Sequence, residues 1–138
     1  MSAERVDTKQ VVAGLYDAWA RGDAEGSTAP FDPEIEWYPA EGHPYSPEGR
    51  PWLGLTDLTE NFFSRVPRDW DEFTTRADRF HAAGQTVVVE GRYGGTFKPN
   101  GRHYDAQFCH VWTLNAEGRI VRLRQYADTA QMQRVMGP

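Results

Sequence analysis

The sequence contains one cysteine, Cys109, in 138 residues, so no disulfide closes within the chain and CxxC chemistry is excluded. A single thiol fits a reducing cytoplasm. Long apolar runs are also missing: no stretch approaches the roughly 20 residues that span a bilayer. The opening residues, Met-Ser-Ala-Glu-Arg-Val-Asp, are polar and carry no signal-peptide core. Basic residues are the minority, 15 against 20 acidic, and the net charge of −5 argues against nucleic acid or an anionic membrane as a partner. The histidines (His43, His81, His103, His110) show no HxH or HExxH spacing, so no metal is expected. No cofactor is expected either, because a glycine-rich phosphate loop, a GxSxG elbow and a Rossmann fingerprint are all lacking.

Aromatic residues, by contrast, make up 13% of the chain, and hydrophobic residues 39%. A chain of this size buries enough surface to fold as one domain over 1–138 without staples. Val11, Val12, Leu15, Tyr16 and Trp19 recur at helical spacing, with Asp7 or Thr8 as cap and Gly22 as stop. Asp23 opens a second, shorter helix that Gly26 and Pro30 weaken. Ile35 to Tyr38 reads as a short strand ended by Pro39. Residues 39–54 hold four prolines and three glycines, a long loop of the kind that is often functional, and its Glu41, His43 and Tyr45 are placed to roof a pocket. Leu55, Leu58, Phe62, Phe63 and Val66 predict a third helix closed by Pro67. Strands follow over 71–83, 85–97, 102–114 and 119–127, joined by short turns as an antiparallel meander. Asp128 then caps a last helix that reaches about Met136. Helices first and strands later imply an α+β fold.

The run from 104 to 114 alternates sharply. Tyr104, Ala106, Phe108, His110, Trp112 and Leu114 share one face, and His103, Asp105, Gln107, Cys109, Val111 and Thr113 share the other. Burial of the aromatic face is expected, since each such ring buries some 150–250 Å². His110 is thereby carried inward, where a neutral imidazole needs a partner such as Gln125 or a tyrosine. An extra residue in the turn from Asn115 to Gly118 would flip this parity only if it entered the strand as a bulge.

Several segments in this order resemble the nuclear-transport-factor-2-like superfamily, which includes SnoaL-like polyketide cyclases, ketosteroid isomerases and limonene-epoxide hydrolases. They are Leu15-Tyr16-Asp17-Ala18-Trp19-Ala20-Arg21-Gly22-Asp23, Asn61-Phe62-Phe63, Gly101-Arg102-His103-Tyr104, Glu117-Gly118-Arg119-Ile120-Val121 and Leu123-Arg124-Gln125-Tyr126-Ala127-Asp128. The resemblance implies a cone-shaped α+β barrel. Its curved, mostly antiparallel sheet is wrapped by three N-terminal helices, with a short C-terminal helix and a pocket in the concave face. It also implies a homodimer, formed here through the outer sheet face that carries His103, Asp105 and Gln107.

The family's catalytic sets do not carry over. The isomerases' oxyanion-binding Asp falls on His110, their general-base Asp on Tyr38, and their helix-one Tyr on Leu15, one residue from Tyr16. The hydrolases' Arg and two Asp fall on Gly91, Tyr93 and Gln125, and the cyclases' last-strand Asp again on Gln125.

The resemblance to the SnoaL-like proteins implies a hydrophobic, oxygenated ring compound bound in the cone. His110 is the candidate acid/base, and Tyr38 and Tyr93 are candidate hydrogen-bond donors to a ligand carbonyl or enolate. Tyr16, Trp19, Phe62, Phe63, Val89, Tyr104, Phe108, Trp112 and Gln125 are expected around the ligand, and Trp37 and Trp52 suit the same role. The reaction expected is a cofactor-independent isomerisation, cyclisation or epoxide opening. The alternative is a non-catalytic binding module with the same cavity.

Overall fold

The computed structural model describes residues 7–137, so the polar stretch 1–6 lies outside it. Helix α1 (Thr8–Arg21) begins where the Asp7 carboxylate accepts from the Gln10 N–H and ends at Gly22. Gly22 has φ 69°, a left-handed conformation that side chains resist, and its N–H closes the helix onto Ala18 and Trp19. Val12, Leu15, Tyr16 and Ala18 are buried, and α1 packs mainly on strand β3 (Trp70–Ala83). The second helix expected at Asp23 is instead a run of turns. Asp23 accepts from the Gly26 N–H there, closing a turn where a helix would begin.

Strand β1 (Phe31–Tyr38) pairs antiparallel with the two-residue β2 (Trp52–Leu53) and parallel with β6 (Ile120–Ala127). Strands β3, β4 (Thr86–Phe97), β5 (His103–Leu114) and β6 form the antiparallel meander, and the six-stranded sheet runs β2-β1-β6-β5-β4-β3. The sheet is curved but not closed, and the helices lie across it.

The third helical stretch is broken into three pieces: α2 (Leu55–Leu58), a π-helical turn (Thr59–Phe63) and α3 (Arg65–Asp69). Pro67 does not close a helix; it is the third residue of α3, in the first turn, where a missing N–H costs no helical bond. The C-terminal helix α4 (Thr129–Met136) starts where Asp128 accepts from the Gln131 N–H at 3.0 Å.

The inward face of β5 is the one the alternation predicts: Tyr104, Ala106, Phe108, His110, Trp112 and Leu114 are all buried. The irregularity towards β6 falls between Thr113 and Leu114, at the strand's end, so parity through His110 is untouched. Gly91 faces Phe108 across the β4–β5 pair. A Cβ at position 91 would collide with the Arg76 carbonyl oxygen and lie 2.5 Å from the Phe108 ring. The glycine therefore leaves room for that ring, which stacks on the His110 imidazole at 4.0 Å between centroids.

Candidate functional site

A cavity of about 600 Å³ lies between the concave sheet face and the helical layer. Each layer contributes aromatic side chains. Helix α1 supplies Trp19, the π-helical turn supplies Phe62 and Phe63, and the strands supply Trp37, Trp70, Phe73, Tyr93 and Tyr104. The extra residue of the π turn brings both Phe62 and Phe63 to one side. Phe62 stacks on Trp52 at 4.4 Å, and Phe63 stands edge-on to Trp37 at 5.2 Å. Met132 and Met136, one turn apart on α4, complete the wall with the loop residues His43 and Tyr45.

The polar floor of this cavity is a chain of buried hydrogen bonds. His110 pairs laterally with Val89 on β4 and Gln125 on β6. Its Nδ1 lies 2.5 Å from the Tyr16 hydroxyl and its Nε2 lies 2.6 Å from the Tyr93 hydroxyl. The Trp112 indole N–H donates to the Tyr16 oxygen at 2.9 Å. The Gln125 amide N–H donates to the Tyr93 oxygen at 2.7 Å. The orientation of that amide is fixed from behind, because its oxygen accepts the Ala40 N–H at 3.0 Å. The sequence therefore pairs His110 with two tyrosines, and Gln125 reaches Tyr93 in place of the imidazole.

Burial controls the protonation of this group. It pushes the His110 pKa down to about 3, so the imidazole is neutral at physiological pH. Burial raises Tyr16 and Tyr93 well above the ordinary phenol range, so both remain hydroxyls. His43 is also neutral, held down at about 4 by burial and by the nearby Arg65 charge. Its Nδ1 accepts the Tyr45 N–H, which leaves its proton on Nε2. Tyr45 in turn donates to Asp69 at 2.6 Å, tying the proline-rich loop to the end of α3.

Of the expected residues, Trp19, Phe62, Phe63, Tyr93, Tyr104, His110 and Gln125 line the cavity, as do Trp37 and the loop residues His43 and Tyr45, whereas Trp52 does not. Tyr16, Val89, Phe108 and Trp112 are buried behind the wall and do not line it, and Tyr16 acts on the site through His110. Tyr38 is misplaced by the sequence reading. It shares the outer face of β1 with Glu36, donates to that carboxylate at 2.8 Å, and lies under the guanidinium groups of Arg122 and Arg124. His103 and Asp105 do not pair: His103 bonds Thr96 and Asp105 bonds Arg92 on the outer face. Trp70, Phe73, Met132 and Met136 are wall residues that the sequence reading missed; the i, i+4 methionines of the last helix were the available signal. Among the described residues no cluster of His, Cys, Asp or Glu is arranged to hold a metal ion, and no helix is long and apolar enough to cross a membrane.

A six-stranded curved sheet with helices across its hollow and an aromatic cavity beneath them defines a cone-type α+β domain. The SnoaL-like domain family matches residues 12–123, and the chain belongs to that family within the nuclear-transport-factor-2-like superfamily. It is similar to an NTF2-like protein of Burkholderia thailandensis, with 34% identity and TM-score 0.86 over 95% of this chain and 98% of that one. An NTF2-like protein of unknown function from Burkholderia pseudomallei has 29% identity and TM-score 0.85, over 96% and 99%. A putative SnoaL-like polyketide cyclase from a Jannaschia species shares the fold at 17% identity and TM-score 0.80, over 100% and 97%. No curated protein matches the chain.

Proposed function

We propose that this protein binds a flat, apolar ring compound carrying oxygen, held between the aromatic helical layer and the sheet. The observation that carries this reading is the wall of the 600 Å³ cavity, which is largely aromatic and apolar, with the buried hydrogen-bonded group Tyr93–His110–Gln125 at its floor. An apolar body with one oxygenated end matches that division.

The geometry favours binding over proton abstraction. Both ring nitrogens of His110 are engaged by tyrosines, and its low pKa makes it a weak base. Asp23 is the carboxylate at the wall, and its oxygens are held by the Gly26 N–H and by Arg21. An isomerase or cyclase acting here would use the floor to stabilise a developing oxyanion and would need a base from elsewhere. Pairing of two chains through the outer sheet face belongs to the same reading.

Equilibrium dialysis against fluorene, a flat tricyclic hydrocarbon, tests the cavity. One molecule bound per chain, seen in the cavity in crystals of the complex, is the expected result. Absence of binding up to the solubility of fluorene would remove this reading. Deuterium uptake next to the carbonyl of a bound ring ketone would add catalysis to it.

A further inference from the structure

We infer that the oxygen this cavity accepts is a neutral carbonyl, and that the Tyr93 hydroxyl donates to it. The inference rests on the proposed binding of a ring compound and adds the chemistry of its polar end.

A count of hydrogens carries the argument. Four bonds join Trp112, Tyr16, His110, Tyr93 and Gln125. The oxygen of Tyr16 already accepts from Trp112, and the oxygen of Tyr93 already accepts from Gln125. A neutral imidazole carries one N–H and one lone pair. It therefore accepts a hydrogen from one tyrosine and gives its own to the other. The tyrosine that receives the imidazole N–H then has two donors on its oxygen and, among the described residues, no acceptor for its own hydrogen. The network holds one hydroxyl hydrogen more than it can place.

Position decides which tyrosine is left with the surplus. Tyr93 lines the cavity, whereas Tyr16 is buried behind it against Trp112. Only at Tyr93 does a ligand in the cavity provide the missing acceptor. The bound arrangement is then directional: Tyr16 donates to Nδ1, Nε2–H donates to Tyr93, and Tyr93 donates to the ligand. Each bond in such a chain polarises the next, so the last hydroxyl is a stronger donor than an isolated phenol. Tyr104, stacked beside Tyr93 at 6.1 Å between ring centroids, also lines the cavity and has a buried hydroxyl with no partner among the described residues.

Charge and polarity narrow the class further. Among the described residues no Lys or Arg lines the cavity, so a carboxylate would be buried there without a counter-charge. At the Tyr93 end an ammonium or amide N–H would meet donors, and the carboxylate of the wall, Asp23, is already held by Arg21 and the Gly26 N–H. A ketone or quinone oxygen takes the surplus hydrogen without bringing a charge or a donor of its own.

The test compares fluorenone with fluorene, which differ in shape by one carbonyl oxygen, and with fluorenecarboxylate, by equilibrium dialysis. Fluorenone is expected to bind about tenfold more tightly than fluorene, as one buried hydrogen bond warrants, and fluorenecarboxylate more weakly than fluorenone. In Tyr93→Phe the fluorenone preference is expected to collapse towards unity, with near-UV circular dichroism reporting whether the variant is folded. The infrared carbonyl stretch of fluorenone bound to the unaltered protein needs no variant and is expected to move to lower frequency than in hexane. Equal binding of fluorenone and fluorene, or an unshifted carbonyl stretch, overturns the inference and leaves the binding reading standing. Failure of all three probes to bind overturns both.

Discussion

The Tyr16 hydroxyl and His110 Nδ1 meet at 2.5 Å although 94 residues separate them in the chain. The bond joins α1 to the middle of β5 and brings the Trp112 indole N–H into the same buried group. Substituting Tyr16→Phe leaves the ring's shape but strips a partner from both Trp112 Nε1 and His110 Nδ1. Unpaired buried groups cost about 1–3 kcal/mol each, so the variant is expected to lose about 2–4 kcal/mol in urea unfolding. A loss below about 0.5 kcal/mol would show that the bond is not made in solution.

Stability is expected to fall as the pH drops below neutrality. The folded pKa values of His110 (about 3) and His43 (about 4) both lie below the ordinary 6.5. Between those values and 6.5 the unfolded chain binds protons that the folded chain refuses, so stability is complete above about pH 7 and declines as pH drops. Each histidine contributes a slope of about 1.4 kcal/mol per pH unit at most. Urea midpoints at about pH 7, 6 and 5 measure the slope, and His43→Gln is expected to halve it. A flat profile over that range would mean that neither imidazole is sealed from water.

Gly91→Ala is expected to be among the most damaging single-methyl additions in the sheet. The new Cβ meets the Arg76 carbonyl oxygen and the Phe108 ring, and backbone cannot step aside as a side-chain tip can. A cost of about 3 kcal/mol or more is expected, with loss of the Phe108–His110 stack. Thermal unfolding together with the His110 ring-proton shifts checks both effects.

Tyr38→Phe should leave ligand affinity within about twofold and stability within about 0.5 kcal/mol. Its hydroxyl engages Glu36 on the outer face, where ion-supported contacts are worth little. Dialysis with fluorenone and a urea titration suffice to check both. A large fall in affinity would place this hydroxyl in the site after all.

Tyr38 also shows where the sequence was legible and where it was not. Its own strand alternates Ile35 and Trp37 inward with Glu36 and Tyr38 outward, and that period gives the correct side. The position carried over from the isomerases implied the other side, and within this chain β1 shifts register against β6 between Phe31 and Glu36. Period-two burial made β5 readable at every position. The caps at Asp7, Gly22 and Asp128 were readable because each depends on one local side chain or one glycine. The π-helical turn was hidden, since a single inserted residue leaves the apolar spacing of Leu55, Leu58 and Phe62 almost unchanged. The link from Tyr16 to His110 was hidden for another reason: it depends on how α1 crosses the sheet, which no local pattern encodes.

The parallel pairing of β1 with β6 sets the order in which the molecule can be completed. Until Ile120–Ala127 has emerged from the ribosome, the first strand has only the two-residue β2 beside it. Contacts between such distant parts of a chain are slow to close. A chain halted before residue 120 has the residues of β1 to β5 but lacks Gln125 and the strand that joins β1 to β5. The hollow therefore cannot be complete before the final strand docks between β1 and β5.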